Sequence, residues 1–244
     1  MEKELIDFIN ANEDAINNEE WENLYGQFER SVLLAPRHLT EILYSIGCNP
    51  EYKLRTLPSV YLPTTYAGQF DVPDNVYRID SACFRGCKEL THVNISDSVH
   101  EIGENIFTGC NKLVHVRLPE TLEILPTGIF SRCESLKNVK LPNSLKHIMP
   151  EAFYLSSIEE IAIPDSIDTI PANCFHGCRN LKKIYLPKSI TNIRMEAFPE
   201  LDNFEIIYDG TFSDWAKINR NYNWAPDSTN YTIKCHGGTL KKGI

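Results

Sequence analysis

Apolar positions recur along this chain with a fixed period. Aromatic anchors stand at Tyr61, Phe84, Phe107, Phe130, Phe153, Phe175 and Phe198, spaced by 23 residues except for one step of 22. Three places after the anchor come Cys87, Cys110, Cys133 and Cys178, with Ser156 and Leu201 as exceptions. Six places after it come Leu90, Leu113, Leu136, Leu181 and Phe204. Ile158 arrives one place early, so one residue is missing between Phe153 and Ile158. Alternating pairs follow: Val93/Ile95, Val116/Leu118, Val139/Leu141, Ile161/Ile163 and Ile184/Leu186. Alternation over a few β-branched positions predicts a half-buried strand in every unit. Pro119, Pro142, Pro164 and Pro187 end that strand, and Asp97-Ser98, Asn143-Ser144 and Asp165-Ser166 predict turns. A second apolar pair closes each unit: Val99/Ile102, Leu122/Leu125, Leu145/Ile148, Ile167/Ile170 and Ile190/Ile193.

A unit of 23 residues cannot bury its apolar side chains by itself. Stacked units bury them in one continuous core, each anchor ring lying over the next. Each phenylalanine then contributes roughly 1.5–3 kcal/mol by burial. The expected fold is an α/β repeat solenoid of about 23-residue repeats, with a parallel sheet along one side, an N-terminal helical domain and a C-terminal cap.

The segment Leu-Lys-Lys-Ile-Tyr-Leu-Pro-Lys-Ser-Ile-Thr-Asn-Ile-Arg-Met-Glu-Ala-Phe, Leu181 to Phe198, resembles the BspA-like leucine-rich repeats, and the likeness extends over about residues 57–207. The resemblance implies a solenoid used for binding. It names no single partner, because the family includes bacterial surface proteins as well as phage-encoded and protist proteins.

Open solenoid ends expose core and need covers. In residues 1–52, Trp21, Leu24, Tyr25 and Phe28 fall at helical spacing, as do Leu39, Ile42, Leu43 and Ile46 before Gly47. This predicts an acidic helical domain over 1–52, the solenoid over 53–207, and a cap over 208–244. Within the cap, Ser213 is expected to start a short helix with Trp215 and Ile218 facing inward. Tyr231 to Cys235 reads as a strand, with a turn at Gly237-Gly238.

Charge and chemistry refine this picture. The net charge is -9, and residues 1–50 hold three basic side chains against ten acidic ones. An acidic chain lacks the Lys and Arg excess on which phosphate binding relies, so no direct nucleic-acid partner is expected. The start of the sequence shows no secretory signal and no apolar run of membrane-spanning length, which gives a cytoplasmic expectation. Cys83-x3-Cys87 and Cys174-x3-Cys178 have spacings compatible with zinc. However, Cys83 and Cys174 share their slot with Ile106, Ile129, Ala152 and Ala197, so they are read as small core hydrophobes. No phosphate loop or nucleophile elbow occurs, and the seven histidines are scattered. Neither an enzyme nor a cofactor is expected.

Binding is expected on the outward strand positions, which form two columns. One runs His92, His115, Asn138, Glu160, Lys183; the other runs Asn94, Arg117, Lys140, Tyr185, with Ala162 between the last two. Arg and Tyr are favoured interface anchors. The partner expected is another protein, docked on the sheet of an interaction scaffold. Two alternatives are an inhibitor carried by a phage or mobile element that occludes a host defence nuclease, and a surface adhesin.

Overall fold

A computed structural model describes residues 56–57, 66–72, 74, 76–201, 204–226 and 230–241. The helices expected within residues 1–52, and the anchor Tyr61, lie outside the described residues.

The alternating pairs form the main parallel ladder. Strand Ala67–Asp71 pairs with Glu89–Asn94, which pairs with His115–Arg117. Further along, Glu160–Ala162, Lys183–Leu186, Phe204–Thr211 and Tyr231–His236 pair in the same parallel sense. Gly238–Lys241 then turns back antiparallel on Tyr231–His236. Register places Val93 beside Val116, and Ile184 between Ile161 and Ile206, all with side chains in the core. Their immediate neighbours point outward, as the two-residue period of a strand requires.

One expected strand does not pair. Val139 and Leu141 are buried and Asn138 and Lys140 are exposed, so the alternation survives. Yet residues 138–140 belong to neither sheet. The following turn is the one that lacks a residue, and it reaches this segment through a single backbone bond, Glu159 N to Lys137 O at 2.8 Å. The preceding strand His115–Arg117, although 23 residues back, does not pair with 138–140 either.

The second apolar pair of each unit lines a smaller ladder of two-residue strands. These are Arg78–Ile79 with Glu101–Ile102, Ile124–Leu125 with His147–Ile148, and Thr169–Ile170 with Asn192–Ile193 and Asn219–Arg220. Just before this ladder, a hydroxyl in every unit reaches back one turn. Ser98 donates to Val76 O, Thr121 to Val99 O, Ser144 to Leu122 O, Ser166 to Leu145 O and Ser189 to Ile167 O. The turn residues therefore also join neighbouring units.

The anchors occupy the remaining corner. Phe84, Phe107, Phe130, Phe153, Phe175 and Phe198 are fully buried, and successive centroids lie 5.2, 5.7, 5.4, 5.3 and 6.0 Å apart with near-parallel planes. The backbone folds sharply on both sides of each ring. Two places before the anchor, Ala82, Asn105, Gly128, Glu151, Asn173 and Glu196 all have left-handed φ. Two places after it, Gly86, Gly109, Arg132, Leu155 and Gly177 do as well. This costs roughly 1–2 kcal/mol at each non-glycine position. Inter-turn hydrogen bonds offset it: Phe107 N to Ile129 O at 3.1 Å, Phe130 N to Ala152 O at 2.9 Å, and the same bond at each neighbouring anchor.

The ladder cysteines pack against these rings. Cys110 Sγ donates to Phe84 O, Cys133 Sγ to Phe107 O and Cys178 Sγ to Phe153 O, at 3.0, 3.2 and 2.9 Å. Burial pushes the Cys87 and Cys178 thiols up to about 11, so they remain protonated donors at neutral pH. Cys83 and Cys174 are buried in the core, as their exchange with Ile and Ala predicts.

Beyond Phe198 the pattern changes. Helix Phe212–Lys217 begins at Thr211, not at the expected Ser213. Thr211 accepts from Asp214 N and Asp214 accepts from Thr211 N, which closes a capping box that Ser213, lying inside the first turn, is not placed to make. Trp215 and Ile218 face inward, and Trp224 meets both Phe198 and Trp215 edge-on.

Candidate functional site

The outward side of the main ladder gathers most of the residues expected to bind. His92 and His115 are register neighbours with ring centroids 6.0 Å apart. Glu160 lies opposite Lys183, and Ala162 opposite Tyr185. Asn94 lies opposite Arg117. Asn138 and Lys140 occupy the unpaired segment between the two sheets and are exposed.

Several of these side chains are already held. Asn94 Nδ2 donates to Asp71 at 2.5 Å. Arg117 donates to Ile95 O at 2.7 Å and to Asp97 at 2.6 Å. The backbone amide of Glu120, together with Arg117, holds the Asp97 carboxyl below its ordinary value. Lys140 reaches Glu120 at 2.8 Å. Arg117 and Lys140 thus each reach back one turn to an acid at the rim where the strands end. The guanidinium and ammonium are fixed in position while remaining largely accessible.

Sequence reasoning missed two features. At the edge where the strands begin, Glu159 bridges Lys182 at 2.6 Å and Lys137 at 2.9 Å. Hydrogen bonds from Lys182 and then Lys137 pull its carboxyl down to about 2. The bridge spans three turns where the backbone pairing is thinnest. The second feature is a groove of about 390 Å³ on the last turns, open to solvent. Tyr185 and Ile207 line it in register, and Asp165, Asp209 and His236 line it as well. Lys234 continues the Tyr185–Ile207 column and is paired with Glu205 at 2.7 Å. Ile207 was readable as a continuation of the Arg117–Tyr185 column. It comes 22 residues after Tyr185, one short of the usual period, and that hid it.

Among the described residues no cluster of three or more His, Cys, Asp or Glu side chains is placed to hold a metal. No described helix is long and apolar enough to cross a membrane. Asn94 of the glycosylation-like Asn94-Ile95-Ser96 is half-buried and already bonded, and Ile95 is in the core.

Comparison with known proteins places this geometry. The family model for the BspA type leucine rich repeat region matches in six copies, over residues 59–179 and 146–221. No curated protein matches. Among solved structures, the leucine rich repeat protein of T. pallidum is 24% identical with a TM-score of 0.55, covering 66% of this chain and 82% of its own. A leucine rich cell surface protein of Faecalibacterium prausnitzii is 30% identical with a TM-score of 0.45, over 66% of this chain. The present chain spans only 37% of that protein's length. A leucine-rich repeat protein of Bacteroides ovatus is 21% identical with a TM-score of 0.48, covering 68% of each chain. The family model matches well over half of the sequence, and the protein belongs to the BspA-type leucine-rich repeat family.

Proposed function

We propose that this protein is a non-enzymatic interaction scaffold that docks another protein on the outward face of its main sheet. Leucine-rich repeat proteins generally serve as interaction or adhesion modules. The observation that carries the reading is the register of the face. Side chains of three strands on one parallel sheet and four on the next stand in register, each set on a backbone tied by parallel pairing, so each part of the face is rigid before a partner arrives. Preorganisation lowers the entropic cost of association. The columns combine a fixed guanidinium, an accessible lysine and an aromatic ring, the residue types from which interface anchors are built.

The test is capture of a partner by the full chain and by Arg117→Glu combined with Tyr185→Ala. Both side chains lie on the outward face, and the core packing does not involve them. The reading expects loss of the partner with an unchanged melting curve. Capture by the double variant at the wild-type level would remove the sheet face from consideration.

A further inference from the structure

The outward face carries a repeated ion pair that stops partway along. Arg117 reaches back to Asp97, 20 residues earlier, at 2.6 Å. Lys140 reaches back to Glu120, again 20 residues earlier, at 2.8 Å. In each pair the cation follows the central buried residue of its strand, and the acid sits at the rim of the preceding turn. Tyr185 and Asp165 occupy the equivalent positions two turns on, also 20 residues apart. Here the acid is kept and the cation is replaced by an aromatic ring. Asp165 is exposed, and no described cation pairs with it.

The same place is concave. Tyr185 and Ile207 line the groove in register, and Asp165 and Asp209 line it as well. The one lysine lining the groove, Lys234, is engaged by Glu205 at 2.7 Å. His236 lies 3.0 Å from Asp209. Burial first, and then Asp214, Cys235 and Asp209, raise the Tyr208 hydroxyl above its ordinary value.

We propose that this groove receives a lysine or arginine of an extended partner segment, whose charge takes the vacant place opposite Asp165 while an aliphatic side chain two residues away, on the same face of the segment, covers Tyr185 and Ile207. The inference rests on the sheet-face reading and assigns that face a partner chemistry. The unpaired acid supplies charge complementarity, and the apolar lining supplies area. An in-chain lysine at position 185 would fill the site, as Lys140 fills the equivalent site at Glu120.

The test uses the full chain, labelled with ¹⁵N, and a blocked five-residue peptide with arginine at its centre, glycine on either side of it and leucine at each end, so that all three side chains share one face when the peptide is extended. Titration to peptide concentrations on the order of 1 mM covers weak binding. Saturable amide shifts are expected around Asp165, Tyr185, Ile207 and Asp209, with none from the same peptide carrying glutamate in place of arginine. Asp165→Asn should weaken binding by about fivefold, the upper range for one exposed ion pair. Asp165→Lys should reject the arginine peptide and admit the glutamate one. Circular dichroism checks that both variants remain folded. Absence of saturable shifts in the groove, or equal binding by Asp165→Asn, would overturn the proposal. If the groove fails while Arg117→Glu with Tyr185→Ala still loses its partner, the basic-segment assignment is wrong and the sheet-face reading stands. If that double variant also captures normally, both fall together.

Discussion

Removing one ring from the middle of the phenylalanine stack should destabilise the whole array. Phe130 is fully buried and lies 5.7 Å from Phe107 and 5.4 Å from Phe153. Phe130→Ala removes the ring from two interfaces and leaves a cavity that backbone-bonded neighbours cannot close. Each flanking turn is fixed through the Phe107 N to Ile129 O and Phe130 N to Ala152 O bonds. Poor relaxation places the cost at the upper end of the usual range, about 4–5 kcal/mol. For a chain of this size that corresponds to a fall in Tm of about 8–20 °C. The assay is urea unfolding followed by both circular dichroism and tryptophan fluorescence. With Trp21 replaced by phenylalanine in both proteins, the remaining Trp215 and Trp224 lie beyond the last anchor, so fluorescence reports on the far end while circular dichroism averages over the chain. In a stack coupled only between neighbours, weakening a central interface should also separate the two transitions. A loss below about 1.5 kcal/mol with coincident transitions would refute the continuous-stack account.

Four further outcomes are expected. Arg132→Gly should stabilise by about 1 kcal/mol, because φ is 58° at an exposed position that Gly86, Gly109 and Gly177 occupy in other turns; an unchanged urea midpoint would contradict the strain assignment. Gly103→Ala should destabilise strongly, since a Cβ there would run into the backbone of Asp80 and Ser81, and equilibrium unfolding checks this. Ser144→Ala should cost about 0.5–1.5 kcal/mol by breaking the 2.6 Å bond to Leu122 O, whereas Ser144→Thr should retain most of it. Glu159 should titrate at about 2 by carboxyl-carbon NMR, well below its ordinary 4.5. Its folded value is depressed, so the stabilisation from its two lysines is complete above about 4.5 and is lost as pH falls toward 2. Titration near 4.5 would contradict the bridge.

The solenoid was legible because its core obeys two simple periods. Apolar alternation located the strands at 93, 116, 161 and 184, and the anchor spacing located the ring stack. The left-handed corners were not legible. Ala82, Glu151, Glu196, Arg132 and Leu155 carry no local preference for positive φ, and the stacked backbone bonds impose that conformation on them. The break at 138–140 was hidden for a different reason. Its side-chain pattern is intact, and only the backbone pairing on either side is lost. Of the expected columns, His92 and His115 are in register on one sheet and Glu160, Lys183 and Tyr185 lie on the next, with Asn138 and Lys140 on the unpaired segment between them. The groove was not drawn, because it depends on the short step from Tyr185 to Ile207 and on an acid whose counterpart is absent. The thiol and hydroxyl ladders were seen only as packing and turn residues, since hydrogen bonding between turns leaves no periodic signal beyond residue identity.

The central claim is that a partner lies on the outward face of the main sheet. Site-specific photo-crosslinking tests it directly, with the crosslinker placed in turn at Lys140 and Tyr185 on that face and at Ile124 and Thr191 on the second ladder. The account predicts a shared crosslinked partner from Lys140 and Tyr185 and none from the other two positions. Crosslinks from Ile124 and Thr191, with none from Lys140 or Tyr185, would contradict it.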